Sequence, residues 1–207
     1  IEKTIEREFT VFKSSSGTGH SSGTFQSSFF SPTNATSDGL NSFTELDGAH
    51  SVDTFTIDSK TYAIVTAQAD DGVQIIDITG PMKATAGFAT SGILAKDVET
   101  DGANSFDELE GPRNVATYTI TSATASDLSL SSTNYAIVTG AKDNGLQVID
   151  IGIPTAIVAK DSETDNANGF DELAGAFGIA TFKISTNSTY RGAIVTASAA
   201  GSVMSVD

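Results

Sequence analysis

One seven-residue pattern occurs three times in this chain, and its spacing constrains the fold more than any single residue does. Phe43-Thr44-Glu45-Leu46-Asp47-Gly48-Ala49 returns as Phe106-Asp107-Glu108-Leu109-Glu110-Gly111-Pro112. It returns again as Phe170-Asp171-Glu172-Leu173-Ala174-Gly175-Ala176. The leucines stand 63 and then 64 residues apart. After each copy comes a β-rich run, then a run ending Ala-Ile-Val-Thr (Tyr62 to Thr66, Tyr135 to Thr139, Gly192 to Thr196). A short strand ending in Asp follows: Gly72 to Asp77, Gly145 to Asp150 and Ser202 to Asp207. A fixed period of this size implies a repeat architecture, in which one unit cannot bury its apolar face without a neighbour.

Each unit divides into short strand-like pieces. In the first they are Ser51–Ile57, Thr61–Ala67, Gly72–Ile78 and Lys83–Thr90, joined through Asp58-Ser59-Lys60, Asp70-Asp71-Gly72 and Thr79-Gly80-Pro81. Such Asp, Ser, Gly and Pro clusters are turn chemistry. The second unit gives Asn114–Ile120, Tyr135–Gly140, Gly145–Ile151 and Thr155–Lys160, with a longer loop from Thr121 to Thr133. The third gives Gly178–Ile184, Gly192–Ala197 and Ser202–Val206. Runs such as Ala63-Ile64-Val65 and Val73-Gln74-Ile75-Ile76 are almost continuously apolar, as in strands buried on both faces. The expectation is an all-β chain: a propeller-like array of about three four-stranded antiparallel blades. The repeat domain then spans 32–207, with units at about 40–103, 104–167 and 168–207.

Asp71 to Pro81, following Ala-Ile-Val-Thr, resembles the LVIVD-type repeat of extracellular β-propeller proteins. Asn144 to Ile151 matches it well and Ser202 to Asp207 poorly. The resemblance implies a secreted or surface-attached propeller, usually without a defined activity. This sequence departs from the family in its number of blades, since propellers typically close with about four to eight.

Composition narrows the function. Acidic residues outnumber basic ones 26 to 11, for a net charge of −15. That charge disfavours nucleic acid and anionic lipid, which need Lys and Arg, and it favours divalent cations. With no cysteine, disulfide and thiolate chemistry are excluded. No apolar run reaches the roughly 18 residues of a membrane span. Abundant Ser, Thr, Gly and Asp, with the glycosylation acceptors Asn34-Ala-Thr36 and Asn187-Ser-Thr189, point to an extracellular or cell-surface setting.

An acidic segment precedes each motif, most weakly the first, where Asn34-Ala-Thr36-Ser-Asp38-Gly39 leads to Glu45. Asp97, Glu99 and Asp101 lead to Glu108, and Asp161, Glu163 and Asp165 lead to Glu172. Acids at positions 1, 3 and 5, Gly or Asn at 6 and Glu at 12 are the spacing of a calcium loop, because a hard cation needs several converging oxygens. These eight residues are the expected ligands of a structural calcium ion. The competing expectation is a polar loop between units whose acids face water. Asp77 and Asp150 are expected to cap turns, and Gln74 and Gln147 to be satisfied core amides. His20 and His50 have no equivalent in the other units, and no Ser-His-Asp arrangement repeats, so the chain is expected not to be an enzyme.

Residues 1–31 stand apart. Ile5, Phe9 and Val11 fall on one face of an extended Ile1–Phe12 strand, Ser14 to Gly23 reads as a Ser/Gly linker, and Thr24–Ser31 carries Phe25 and Phe29. Thr24–Ser31 has the character of an orphan fourth strand, while the third unit lacks one. These ends suggest strand addition between copies: a non-enzymatic subunit polymerising head to tail into a surface fibre or sheath. The alternative is a propeller segment of a larger secreted adhesin or recognition protein.

Overall fold

In a computed structural model, residues 36–80, 92–123, 130–183 and 191–206 are described, all within the unit Pro32–Asp207. They form three antiparallel sheets and no helix. The first sheet orders β1 (Ala49–Ile57), β2 (Lys60–Ala67), β3 (Gly72–Asp77) and β4 (Leu94–Thr100) as a meander. The second repeats it with β5 (Pro112–Ala123), β6 (Leu130–Gly140), β7 (Gly145–Asp150) and β8 (Val158–Thr164). The third has β9 (Ala176–Lys183), β10 (Arg191–Ala197) and β11 (Ser202–Val206). Within each sheet the strands pair in sequence order, and short turns join β1 to β2, β2 to β3, β6 to β7 and β10 to β11. The β1–β2 turn shows how: Asp58 and Ser59 take φ of 49° and 64°. Two successive left-handed residues give the turn whose twist matches that of paired strands.

The register explains the core. Side chains alternate across a strand, so Ile64 and its neighbour Ala63 face opposite ways. Ile64, Val73 and Ile75 of the first sheet share one core with Phe106, Leu109, Val115, Val138 and Ile149 of the second unit. On the other face, Ala63 and Ile76 pack with Phe43. Ile137 and Leu146 of the second sheet meet Leu173, Ala176, Ala193 and Val195 of the third unit. The first and second units therefore each complete a core with the unit that follows. At roughly 1.5–3 kcal/mol for each fully buried large apolar side chain, these shared cores are the main force joining the units.

Two expectations need correction. The fourth strand of the first sheet is β4, and that of the second is β8, which shares only Val158–Lys160 with the expected Thr155–Lys160. The expected strand Lys83–Thr90 lies outside the described residues. The acidic segments are thus strands up to Thr100 and Thr164 rather than loops. Asp and Glu are poor strand formers in a sheet interior, but an outermost strand pairs on one side only and is kept soluble by charge. The Thr121–Thr133 loop is shorter than expected, since β5 and β6 stay paired as far as Ala123 with Leu130. The third sheet has the expected three strands among the described residues, with β11 at its edge.

Candidate functional site

The places where one unit meets the next carry the most repeated geometry in the molecule. Before each motif the chain reverses in a tight turn closed by an isolated bridge, Leu40 to Phe43, Ala103 to Phe106 and Ala167 to Phe170. Asn41 and Ser42, Asn104 and Ser105, and Asn168 and Gly169 supply the positive φ values these turns require. An aspartate ahead of each turn accepts a hydrogen bond from the motif leucine. The Leu46, Leu109 and Leu173 N–H groups donate to Asp38, Asp101 and Asp165 Oδ1 at 3.3, 3.0 and 2.7 Å. This regular Asp-to-Leu spacing of eight residues was present in the sequence and is the signal that spacing arguments about calcium overlooked.

The same aspartates tie units together through backbone. Asp101 N–H donates to Asp71 O at 2.8 Å, and Asp165 N–H to Asn144 O at 2.9 Å. Asp71 and Asn144 also accept from Gly111 and Gly175 N–H through their Oδ1 atoms, both at 2.7 Å. Both hold positive φ (53° and 60°), a backbone state that Asp and Asn tolerate better than most side chains. Their equivalent in the third unit is Gly201, φ 66°. Substituting Asp101 by Ala should lower stability by about 1–2 kcal/mol, because the Leu109 N–H loses its acceptor. Asp101→Asn keeps an oxygen there and should recover most of the loss in a thermal melt.

The expected calcium residues are spread over these elements. Asp97 and Glu99 lie on β4, Asp161 and Glu163 on β8, and Asp101 and Asp165 in the turns that follow. Asp97 Oδ2 accepts from Ile157 N–H at 2.7 Å, and Asp161 Oδ1 from Ser162 N–H at 3.0 Å. Glu99 and Glu163 accept from the Asn104 and Asn168 amides at 2.9 and 3.0 Å. Glu172 is exposed, with its carbonyl accepting from the Ser202 hydroxyl at 3.0 Å. Among the described residues no three His, Asp or Glu side chains converge as a metal site would require. The repeated acids serve here as acceptors for backbone and amide N–H groups.

Glu108 behaves differently. It is 6% exposed, its Oε1 accepts from the Thr164 hydroxyl, and its Oε2 has no hydrogen-bond partner. Burial pushes its carboxyl up to about 7, with Asp143, Asp101 and Asp107 adding repulsion against the opposing Thr164 bond. Glu45, its equivalent, is also pushed up to about 7 by burial and then by Asp70 and Asp38, and its Oε2 is likewise unpartnered.

These carboxyls sit over glycines that open the third strands. A Cβ on Gly72 would lie 2.7 Å from both Glu45 Oε2 and Glu99 O. On Gly145 it would overlap the Glu108 carboxylate and lie 2.7 Å from Glu163 O. Glycine is required there because the fourth strand and the motif glutamate crowd the same point. In the third unit, where β11 is the edge, Ser202 occupies this position. Gln74 and Gln147 follow the same logic. Their Nε2 groups donate to Asp97 O and Asp161 O on the fourth strands, at 2.8 and 2.9 Å, and their Oε1 atoms accept from Thr44 and Asp107 N–H. Met204 stands at the equivalent place in β11.

His50, Arg113 and Phe177 occupy one repeat position and gather in space. His50 Nδ1 lies 2.7 Å from Arg113 O, His50 meets Phe177 edge-on at 6.0 Å, and the Arg113 guanidinium sits 5.7 Å from that ring's centre. Asn34, Asn187, Ile5, Phe9, Val11, Phe25 and Phe29 fall outside the described residues. No protein-family model matches this chain, and no curated protein does.

Proposed function

We propose that this chain is a non-enzymatic structural protein of the extracellular surface, a propeller-like repeat subunit that associates head to tail into a fibre or sheath. The observation that carries this reading is the β11 edge, unpaired among the described residues where β3 and β7 are covered by β4 and β8. An open edge offers N–H and C=O groups to a strand of another copy. The N-terminal segment holding Ile5, Phe9, Val11, Phe25 and Phe29 is the donor in this proposal. Ser202 and Met204 make the β11 edge a weaker seat than β3 or β7, since the first adds a Cβ and the second removes an amide. Reversible rather than permanent strand addition follows. The propeller reading is supported by the meander order of each sheet and by the passage from the outermost strand of one sheet to the first strand of the next.

Electron micrographs of the purified chain provide the test. Filaments are expected from residues 1–207, and short oligomers or single particles from a chain lacking residues 1–31. Single particles from the intact chain at its highest soluble concentration would overturn the proposal.

A further inference from the structure

Equivalent residues of the three units differ in exposure, and the differences fall on one surface. Ile64 and Ile137 are 0% and 9% exposed, whereas Ile194 is 45% exposed. Val73 and Leu146 are 0% and 3% exposed, whereas Val203 is 68% exposed. Phe55 is buried and Phe182 exposed. In the first two sheets these positions form the face that the following unit covers. In the third sheet that face stands open, with three large apolar side chains on it.

At the other end of the stack Val52 stands open, while Ala63 and Ile76 on the same face are buried with Phe43. Val115 is 4% exposed where the second unit seats on the first, and its equivalent Val52 is 61% exposed. One chain thus carries both halves of a joint that it makes twice internally. The polar contacts of that joint also repeat. Thr117 Oγ1 donates to Thr54 O at 3.2 Å, and Thr181 Oγ1 donates to Thr117 O at 3.1 Å. Continuing the series places the Thr54 hydroxyl of a further unit on Thr181 O. It also places Asp38 N–H on Gly201 O, as Asp101 meets Asp71 and Asp165 meets Asn144.

We infer that a second copy of this chain seats its Val52 face on the face built by Phe182, Ile194 and Val203, so that the stack of units continues from one molecule to the next. The inference rests on the self-association proposed above and specifies where the copies touch. The partner is a second copy because the uncovered residues at the two ends are equivalents of those that already fit together. A contact between two different faces leaves one of each free after every addition, so it builds filaments unless its rotation closes a ring.

The test uses Val203→Asp and Val52→Asp, each at an exposed position where a charge leaves the monomer's core intact. Each variant alone should associate at least about tenfold more weakly than the parent chain. An equimolar mixture should form dimers and nothing larger by sedimentation, since only one intact joint is available. Variants that assemble as the parent does would overturn the inference while leaving self-association standing. A parent chain that sediments as a monomer would overturn both. Should either variant melt well below the parent, Thr54→Cys with Thr181→Cys replaces it. The chain has no cysteine, so oxidation should give a ladder of covalent multimers on a non-reducing gel, and a lone monomer band would refute the joint.

Discussion

Phe106→Ala is expected to lower the unfolding free energy by about 3–5 kcal/mol, the range for emptying a fully buried aromatic site. Phe106 is 0% exposed and belongs to the core shared by the first two units. Its loss removes contacts from both sheets at once, and neither sheet can close the gap without shifting its own hydrogen-bonded strands. The equivalent Phe170 is only partly buried against the second shared core, so Phe170→Ala should cost distinctly less. Urea unfolding of both variants beside the parent makes the comparison, with the slope checked for constancy. Equal losses would mean that the units do not share cores in the way the burial pattern indicates. A loss below about 1 kcal/mol for Phe106→Ala would say the same more strongly.

Stability should fall as pH rises from about 4.5 to about 7, and Glu108→Gln should flatten that fall. The carboxyl of Glu108 is pushed from 4.5 to about 7 in the folded chain, first by burial and then by Asp143, Asp101 and Asp107. Between those values the folded state holds the proton more tightly than the unfolded state does, so alkali favours unfolding. The shift corresponds to roughly 3 kcal/mol at most, fully present as a cost above pH 7 and absent below pH 4.5. Glutamine keeps an oxygen for the Thr164 hydroxyl and carries no charge. The variant should therefore melt higher than the parent at pH 8 and close to it at pH 5. Glu45 contributes in the same direction and window, so some slope survives in the single variant. Asp77 acts oppositely: against the cost of burial, Thr79 and Lys96 hold its carboxyl below the usual range. Its contribution is lost only in stronger acid. A parent chain with flat stability from pH 5 to 8 would remove the argument.

The first three strands of each unit were readable because their chemistry is local. Ala-Ile-Val-Thr runs favour extended backbone, and the Asp-Ser and Asp-Gly pairs flanking them favour turns. β11 was placed to the residue at Ser202–Val206. β4 went unread because Leu94-Ala-Lys-Asp-Val-Glu-Thr100 reads as polar loop by composition. Its strand character comes from β3, whose backbone it pairs with. The calcium spacing failed to reveal what Asp101 and Asp165 do for the same reason: a list of oxygens in sequence does not say which N–H groups they face. Glu108 looked like a closing ligand, whereas its burial over Gly145 depends on a strand that begins 50 residues after it.

The amino-acid sequence alone determined that this protein is built of recurring β units with an acidic surface, since period, turn residues and charge are properties of the chain itself. Tertiary structure alone decided which faces of those units are covered and which stand open. Val73, Leu146 and Val203 are comparable side chains in equivalent strands, and among the described residues only the presence or absence of a neighbouring sheet separates 0% and 3% exposure from 68%. Burial is a relation between surfaces, so no local pattern encodes it.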